Sequence, residues 1–524
     1  MLEQVALGSC CLLNFNHGSA FRSAMVVSTF HVRSPLYIIE CAWNAAISLG
    51  SNLSLGWANR AGFDGHPNAY QAIGRLPGRM TRGRGKPWNY GRGHEAAMMV
   101  TSAGRNGAQQ GKMLPTIFIS AGEASGEHYG ALLVEALKKQ LAAAGQTAGF
   151  FGMGGQRMAD AGLECVVRSE DMAVMGLTEV VRHLPRIYGE LRKLKRSFRE
   201  RRPSVAVLID FPDLHFRLAK ELHRLGIPVI FFVSPQLWAW KKHRIKLVKK
   251  YIREMLVIFP FEEPFYRGQG VEAEFVGHPL AELPLPTVSR AQFASENRLD
   301  PGKTWIGLLP GSRAKEIRDN LPEMLEAARR LAAPKPGERE PARDLEFLVP
   351  LAPTLNAAQR EMVLNVVNDL GGGLTIRLVE DARGALFHAR ASVVASGTAT
   401  VEAALIGNPF VVVYRVSPLT YAIAKRVVTV AHVAMANLIA GRRVVPELIQ
   451  DDFTAANIVQ QMEPLLPDGA PRQSMMEELL RIRGLLSTRP GRSAEGGAID
   501  RVAEITLDLM GAAGRQPVEE VERA

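Results

Sequence analysis

From Met113 onward, apolar residues fall into two alternating rhythms. Short unbroken runs such as TIFIS (116–120), SVAVLID (204–210), PVIFFVS (228–234) and EMLVIFPF (254–261) read as strands covered on both faces. Between them, apolar positions recur three and four apart. The first such stretch, EHYGALLVEALKKQLAAAG (127–145), aligns Leu132, Leu133, Ala136, Leu137 and Leu141 on one helical face and stops at Gly145. GEASG (122–126) is expected as the loop before it. GFFGMGG (149–155) reads as the second strand, which makes SVAVLID the third. A proline-bearing stretch at 277–303 marks the expected connection between domains. The rhythm then restarts with TWIGLLPGSR (304–313), LEFLVPL (345–351), LTIRLVED (374–381), ASVVASGT (391–398) and PFVVVYRV (409–416). From about Tyr421 the pattern is mostly helical.

Strands alternating with helices over short loops predict an α/β protein with parallel, doubly wound sheets. The expected architecture is two Rossmann-like domains, 113–283 and 284–420, facing a cleft. A helical segment, 421–524, closes the chain, either returning to the N-terminal domain or exchanging with a partner chain. Ligands in such folds sit at the carboxyl ends of the strands.

A chain of 524 residues is too long for one ordinary domain. The net charge of +11 is unevenly spread. Residues 1–112 carry 11 Lys/Arg against 4 Asp/Glu, so most of the basic excess lies in the first fifth. That fifth ends in a Gly/Arg-rich stretch without apolar period (75–112) and is expected to be a disordered extension or an over-extended gene start. Three of the four cysteines lie there, which indicates no disulfide framework. No Lys or Arg precedes the short apolar run VALGSCCLL, which argues against a secretory signal. The apolar stretch 34–57 is interrupted by Glu40, Asn44 and Asn52, which argues against a membrane span.

The chemistry is expected in the loops at strand ends. SGTATVE (396–402) follows a strand and opens a helix. Ser396 or Thr398 is positioned to cap it, its free N–H groups suit an anion, and Glu402 one turn on suits ribose hydroxyls. PGSRAKE (310–316) repeats the logic with Gly311, Ser312 and Arg313, whose planar fork suits a diphosphate. GEASGEHYG is neither G-x-G-x-x-G nor a Walker loop, which argues against a dehydrogenase or an ATPase. There is no Asp-x-Asp clip and no zinc spacing, so no metal and no cofactor is expected. Asp210, ending a buried-type strand in LIDFPDLHFR (208–217), is the candidate general base; Asp213 fits a helix cap better. The stretch 176–202 has a basic amphipathic pattern, with nine Lys/Arg against two Glu between 182 and 202, and is expected to be interrupted at Pro185. It suits either packing on the sheet with a solvated basic face or contact with anionic lipid. VSPQLWAWKKHR (233–244) sets Trp238 and Trp240 two apart, on one face if the stretch is a strand, beside a basic run.

Taken in order, AGEASGE (121–127), VMGLTEV (174–180), IDFPD (209–213), VSPQLWAWKKHR (233–244), FPFE (259–262), FVGHPL (275–280), LLPGSRAKEI (308–317), SGTATVEAAL (396–405) and NLIAGRRVVPELIQ (437–450) resemble the lipid-A-disaccharide synthase family. The resemblance covers nearly all of the chain after Met113. It implies a GT-B type inverting glycosyltransferase, independent of metal. Such an enzyme joins UDP-2,3-diacylglucosamine to 2,3-diacylglucosamine 1-phosphate, giving a β-1,6 disaccharide and UDP. It also implies a bacterial protein, peripheral on the cytoplasmic face of the inner membrane, with a homodimer as the suggested assembly and no nucleic-acid partner. Asp210 and Arg313 would be catalytic. Gly311, Ser312, Arg313, Ser396, Gly397, Thr398, Glu402, Asn437 and Gln450 would hold UDP. Glu123, Ser125, Met175, Trp238 and Trp240 would line the acceptor and lipid side. The sequence departs from the family pattern at Glu127, where Asp is common, and at His215, where Asn is common. Two rivals remain: another GT-B transferase using UDP-N-acetylglucosamine, and a non-catalytic lipid- or nucleotide-binding protein.

Overall fold

The computed structural model describes residues 114–172, 177–239, 242–334, 344–416, 421, 430–487 and 496–513. The expectation for residues 1–112 lies outside these. In chain order the first half contains β1 (Thr116–Ala121), α1 (Ala124–Ala143), β2 (Gly149–Gly154), α2 (Gln156–Asp160), β3 (Glu164–Arg168), α3 (Ser169–Met172), α4 (Leu177–Arg201), β4 (Val205–Ile209), α5 (Pro212–Arg224), β5 (Val229–Phe232), α6 (Ile245–Tyr251), β6 (Glu254–Val257), α7 (Glu262–Gly268) and β7 (Ala273–Phe275). The second half contains α8 (Arg290–Asn297), β8 (Thr304–Leu309), α9 (Ala314–Ala332), β9 (Leu345–Pro350), α10 (Ala357–Leu370), β10 (Ile376–Val379), α11 (Ala382–His388), β11 (Ala391–Ala395), α12 (Thr398–Ile406) and β12 (Phe410–Tyr414). The chain ends with α13 (Met435–Ala440), β13 (Glu447–Ile449), α14 (Ala455–Met462), α15 (Ala470–Leu486) and α16 (Ala498–Ala513).

Two parallel sheets result, in the strand orders β3-β2-β1-β4-β5-β6-β7 and β10-β9-β8-β11-β12-β13. Both reverse direction of winding beside their first strand, between β1 and β4 and between β8 and β11. Helices cover both faces, so the central strands are fully buried, as in VAVLI of β4 and LEFLVP of β9. Phe118 of β1 packs edge-on against Phe151 at 5.5 Å and Phe198 of α4 at 4.6 Å. A buried ring of this size stabilises by about 2–3 kcal/mol and fixes α4 to the sheet.

Several elements differ from the sequence reading. The helix after β1 begins at Ala124, three residues earlier than the pattern suggested, so GEASG is only partly loop. ECVVR forms β3, an edge strand with an exposed start, so SVAVLID is the fourth strand. AEF adds β7, and ELI adds β13 to the second sheet inside a segment read as helical. α4 runs unbroken through Pro185. The last two helices divide between the halves. α15 packs on α12 of the second half, whereas α16 packs on α1 and β4 of the first. Gln140 Nε2 donates to the Asp500 carbonyl at 3.0 Å, and Arg501 pairs with Glu274 at 2.8 Å. The chain thus crosses between the halves twice. The two crossings are tied together where His278 N donates to Leu486 O at 2.9 Å and Ala498 N to Glu282. Among the described residues, no helix is long and apolar enough to cross a membrane.

Candidate active site

Each sheet's reversal of winding leaves a crevice at the carboxyl end of its strands. The loops after β1 and β4 face the first crevice, and those after β8 and β11 the second. They carry Glu123, Asp210, Arg313 and Gly397.

Gly122 lets the β1 loop close under Phe211, because a Cβ there would stand 2.4 Å from the Phe211 ring. Glu123 is the extended N-cap of α1 and Ser125 lies in its first turn, half-buried. Glu127 does not face the crevice. Its Oε1 accepts from Arg157 N at 2.9 Å, and it fills the space a side chain on Gly155 would need. Glutamate at this position therefore caps α2.

Asp210 follows β4 with φ 52°, and Phe211 follows with φ 49°. Two successive non-glycine residues in the left-handed region store about 1–3 kcal/mol each, a cost typical of functional turns. The turn projects the Asp210 carboxyl among packed atoms. Burial first, then the charge of Glu123, pushes its pKa up to about 7, against a backbone N–H from Phe211 that lowers it. A carboxyl of that pKa is matched to accepting a proton near neutrality. Phe211 is the N-cap of α5, and Asp213 sits in the helix's first turn, so the capping role expected of Asp213 is not met. Its carboxylate pairs instead with the buried Arg244 at 2.5 Å. His215 is fully buried, and burial lowers its pKa to about 4. Tyr129 of α1, which carried no recognisable motif of its own, lies within electrostatic reach of both Asp210 and Glu402. Burial, then Glu402, then Asp210 raise its pKa.

In the second crevice, Gly311 takes φ 124°, which a side chain would strain, and its Cβ would meet Glu316 Oε2 at 2.5 Å. That carboxylate accepts from Ser312 N at 3.1 Å and Arg313 N at 3.4 Å. The loop's N–H groups are thus engaged within the chain, contrary to the reading of them as a free anion cradle. The guanidinium of Arg313 remains half-exposed, 3.1 Å from Glu316 and 3.9 Å from Glu123 across the cleft. The helix opening at Thr398 has Gly397 as N-cap and no side-chain cap, so neither Ser396 nor Thr398 plays the expected part. Thr400 Oγ1 instead donates to Gly397 O at 2.7 Å. Glu402 is half-buried. Burial raises its pKa, with Arg383 opposing and Asp381 adding to the shift.

Other expected residues are occupied elsewhere. β5 ends at Phe232, so residues 233–239 are not a strand, and Trp238 is buried in a turn. Its Nε1 donates to Glu262 at 3.1 Å and its ring meets Phe261 edge-on at 5.0 Å. Trp238 is therefore packed in the interior and not set on the acceptor and lipid side where the resemblance put it. Asn437 is fully buried; it donates to Val445 O and Glu447 Oε1, and accepts from Val444 N and Val445 N. Gln450 pairs with both backbone groups of Val416 at 2.8 Å. Neither amide is free for a nucleotide in this arrangement. Met175 and Trp240 lie outside the described residues.

The site is thus a carboxyl of raised pKa at one winding reversal and a guanidinium at the other. Glu123 lies between them, and a half-buried carboxylate stands deeper in the second half. The family model described as lipid-A-disaccharide synthetase matches residues 117–492. The lipid-A-disaccharide synthase of Acidobacterium capsulatum is 60% identical over 405 residues, covering 76% of this chain and 96% of that protein. Its namesake in Koribacter versatilis is 49% identical over 393 residues, covering 75% and 98%. That of Myxococcus xanthus is 44% identical over 398 residues, covering 76% and 98%. Among solved structures, the kitacinnamycin glycosyltransferase aligns with 16% identity and a TM-score of 0.49 over 76% of this chain and 99% of that one. On the family match and these identities, the chain belongs to the lipid-A-disaccharide synthetase family and is a glycosyltransferase of lipid A biosynthesis.

Proposed function

We propose that the chain transfers 2,3-diacylglucosamine from its UDP donor to the 6-hydroxyl of 2,3-diacylglucosamine 1-phosphate, with inversion. Asp210 takes the hydroxyl proton as the oxygen attacks the anomeric carbon. The bond to the diphosphate breaks on the opposite face, and its electron pair leaves with UDP. Arg313 and the uncapped start of α12 balance the charge gathering on the diphosphate. Gly311, Ser312, Ser396, Gly397 and Thr398 line the donor side, with Glu402 on ribose; Glu123 and Ser125 border the acceptor. The observation that carries this reading is the pairing of Asp210, with its pKa about 7, and an exposed guanidinium 3.9 Å from the same Glu123 that acts on Asp210. UDP release is expected with diacylated glucosamine substrates and not with UDP-N-acetylglucosamine and its non-acylated acceptors. The reverse preference would favour a cell-wall type transferase, and no release with either would favour a binding protein.

We infer that the reaction takes place at the inner face of the inner membrane, a reading supported by the acyl chains of both proposed substrates. The apolar stripe of α4 from Ile187 to Phe198 is buried on the sheet, while Arg192, Lys193 and Arg196 are exposed and Lys195 is half-buried. Three of these cations are already engaged: Arg192 over the Tyr188 ring, Lys193 with Glu190 and Arg196 with Glu200. Their attraction to anionic lipid is long-range, about 1 kcal/mol per residue near the surface. Replacing all four by Gln is expected to lower co-sedimentation with anionic liposomes at low salt while leaving turnover of a soluble acceptor nearly unchanged. Unaltered sedimentation would remove α4 from the membrane-facing surface.

A further inference from the structure

We propose that His215 is a positioning residue for the transfer reaction: its ring, tied at one end to the Asp210 carbonyl and at the other to Ser120, holds the left-handed turn that carries the Asp210 carboxyl. The proposal rests on Asp210 being the base.

The ring Nδ1 lies 2.5 Å from Asp210 O, and Nε2 lies 2.9 Å from Ser120 Oγ. A carbonyl oxygen only accepts, so Nδ1 bears the hydrogen. Nε2 is then the acceptor, and the Ser120 hydroxyl donates to it. Burial keeps the ring neutral at working pH, so this pairing does not change with protonation. The ring is walled by Phe211 at 5.9 Å and Phe231 at 6.1 Å, and the His215 backbone N–H donates to Phe211 O at 3.1 Å. One residue thus grips both left-handed positions, Asp210 through its side chain and Phe211 through its backbone. Ser120 belongs to β1, so the grip also ties the β4 turn to the neighbouring strand across the winding reversal. Without it, the strained turn is free to relax toward ordinary backbone angles, moving the carboxyl and letting water reach it.

The ionisable side chains acting on that carboxyl are Glu123 after β1 and Tyr129 of α1, with the neutral His215 behind the turn. Better solvation lowers the carboxyl pKa, so the acid limb of activity moves to lower pH. His215→Leu is expected to reduce kcat about 10–100-fold with donor KM within about twofold, since displacement of a reacting group by about 1 Å costs on that order. Its acid limb should shift down by about one pH unit. His215→Asn places an amide N–H where Nδ1–H stood and should restore both turnover and limb. His215→Gln reaches toward Ser120 but not the carbonyl and should stay as impaired as Leu.

The four proteins to assay, each over pH 5.5–9 with a melting curve, are these three variants and Asp210→Asn. If the Leu variant does not fold, the contrast between Asn and Gln decides. Wild-type kcat and limb in the Leu variant, or equal rescue by Gln and Asn, overturns the positioning role while a dead Asp210→Asn leaves the base assignment standing. An active Asp210→Asn overturns both.

Discussion

Asp210→Asn is expected to lower turnover by about 10²–10⁴-fold, the usual contribution of general base catalysis, with donor KM close to wild type. The substitution keeps the size and hydrogen-bonding shape of the side chain and removes its capacity to take a proton. The donor is unaffected because its diphosphate and ribose are assigned to loops of the other half. With Asp210 proposed as the base, the working form is the ionised carboxylate, and kcat/KM is expected to rise as pH climbs through about 7, where burial and Glu123 place its pKa. The residual activity of the Asn variant lacks that limb. Stability moves the opposite way. The folded-state pKa lies above the ordinary value of 3.8, so the folded chain binds the proton more tightly than the unfolded one between those two pH values. Folding stability contributed by this group is present below pH 3.8 and declines as pH rises through about 7. The Asn variant should therefore melt at or above the wild-type temperature at pH 8. Retention of more than about a tenth of wild-type turnover, or a lower melting point with turnover spared, would show Asp210 to be structural.

Glu262→Ala should destabilise the first half by about 3–5 kcal/mol and lower its melting temperature by roughly 10 °C. The Glu262 carboxylate is buried and accepts from Ser234 Oγ at 2.6 Å, Trp238 Nε1 at 3.1 Å and Phe259 N at 3.1 Å. Removing it strands three donors, each costing about 1–3 kcal/mol when buried without a partner, and leaves a cavity. Glu262→Gln keeps an acceptor for two of them and should cost about 1–2 kcal/mol. Burial outweighs the three donors and lifts the carboxyl pKa to about 7. Its contribution to stability accordingly declines between pH 4.5 and about 7, and the gap between wild type and Gln variant should narrow as pH rises through that window. Indistinguishable melting of wild type and the Ala variant would mean that the turn holding Trp238 stands without this carboxylate.

The wound halves were readable because parallel strands covered on both faces leave continuous apolar runs, as in TIFIS and VAVLI. The four crevice loops were readable for a related reason, since each follows such a run directly. The missed strands β7 and β13 have three residues each, too few to display any period, and β3 is an edge strand half-open to water. Pro185 looked like a break because proline removes a helical hydrogen bond, yet α4 packs firmly enough on Phe118 and its neighbours to run through it. The caps were misread because Ser396, Thr398 and Asp213 are good cap residues by type. The chain instead uses a glycine of φ 149° at α12 and a left-handed phenylalanine at α5. Trp238, Asn437 and Gln450 show the other limit. Their motifs carried the resemblance to the family, but whether such a side chain faces a ligand or the backbone is decided by neighbours remote in sequence, here Glu262, Glu447 and Val416. His215 and Tyr129 reach Asp210 through proximities that no local pattern encodes.

The double crossing between the halves has a mechanical meaning. A single linker would leave the two lobes free to swing, slide and twist about one another. Two crossings, bound to each other where His278 meets Leu486 and Glu282 meets Ala498, restrict that freedom to a rotation about one axis through the pair. A rotation about that axis would open or close the cleft in a single plane. Asp210 and Arg313 belong to opposite halves, so such a rotation would keep the lateral alignment of the carboxyl and the guanidinium.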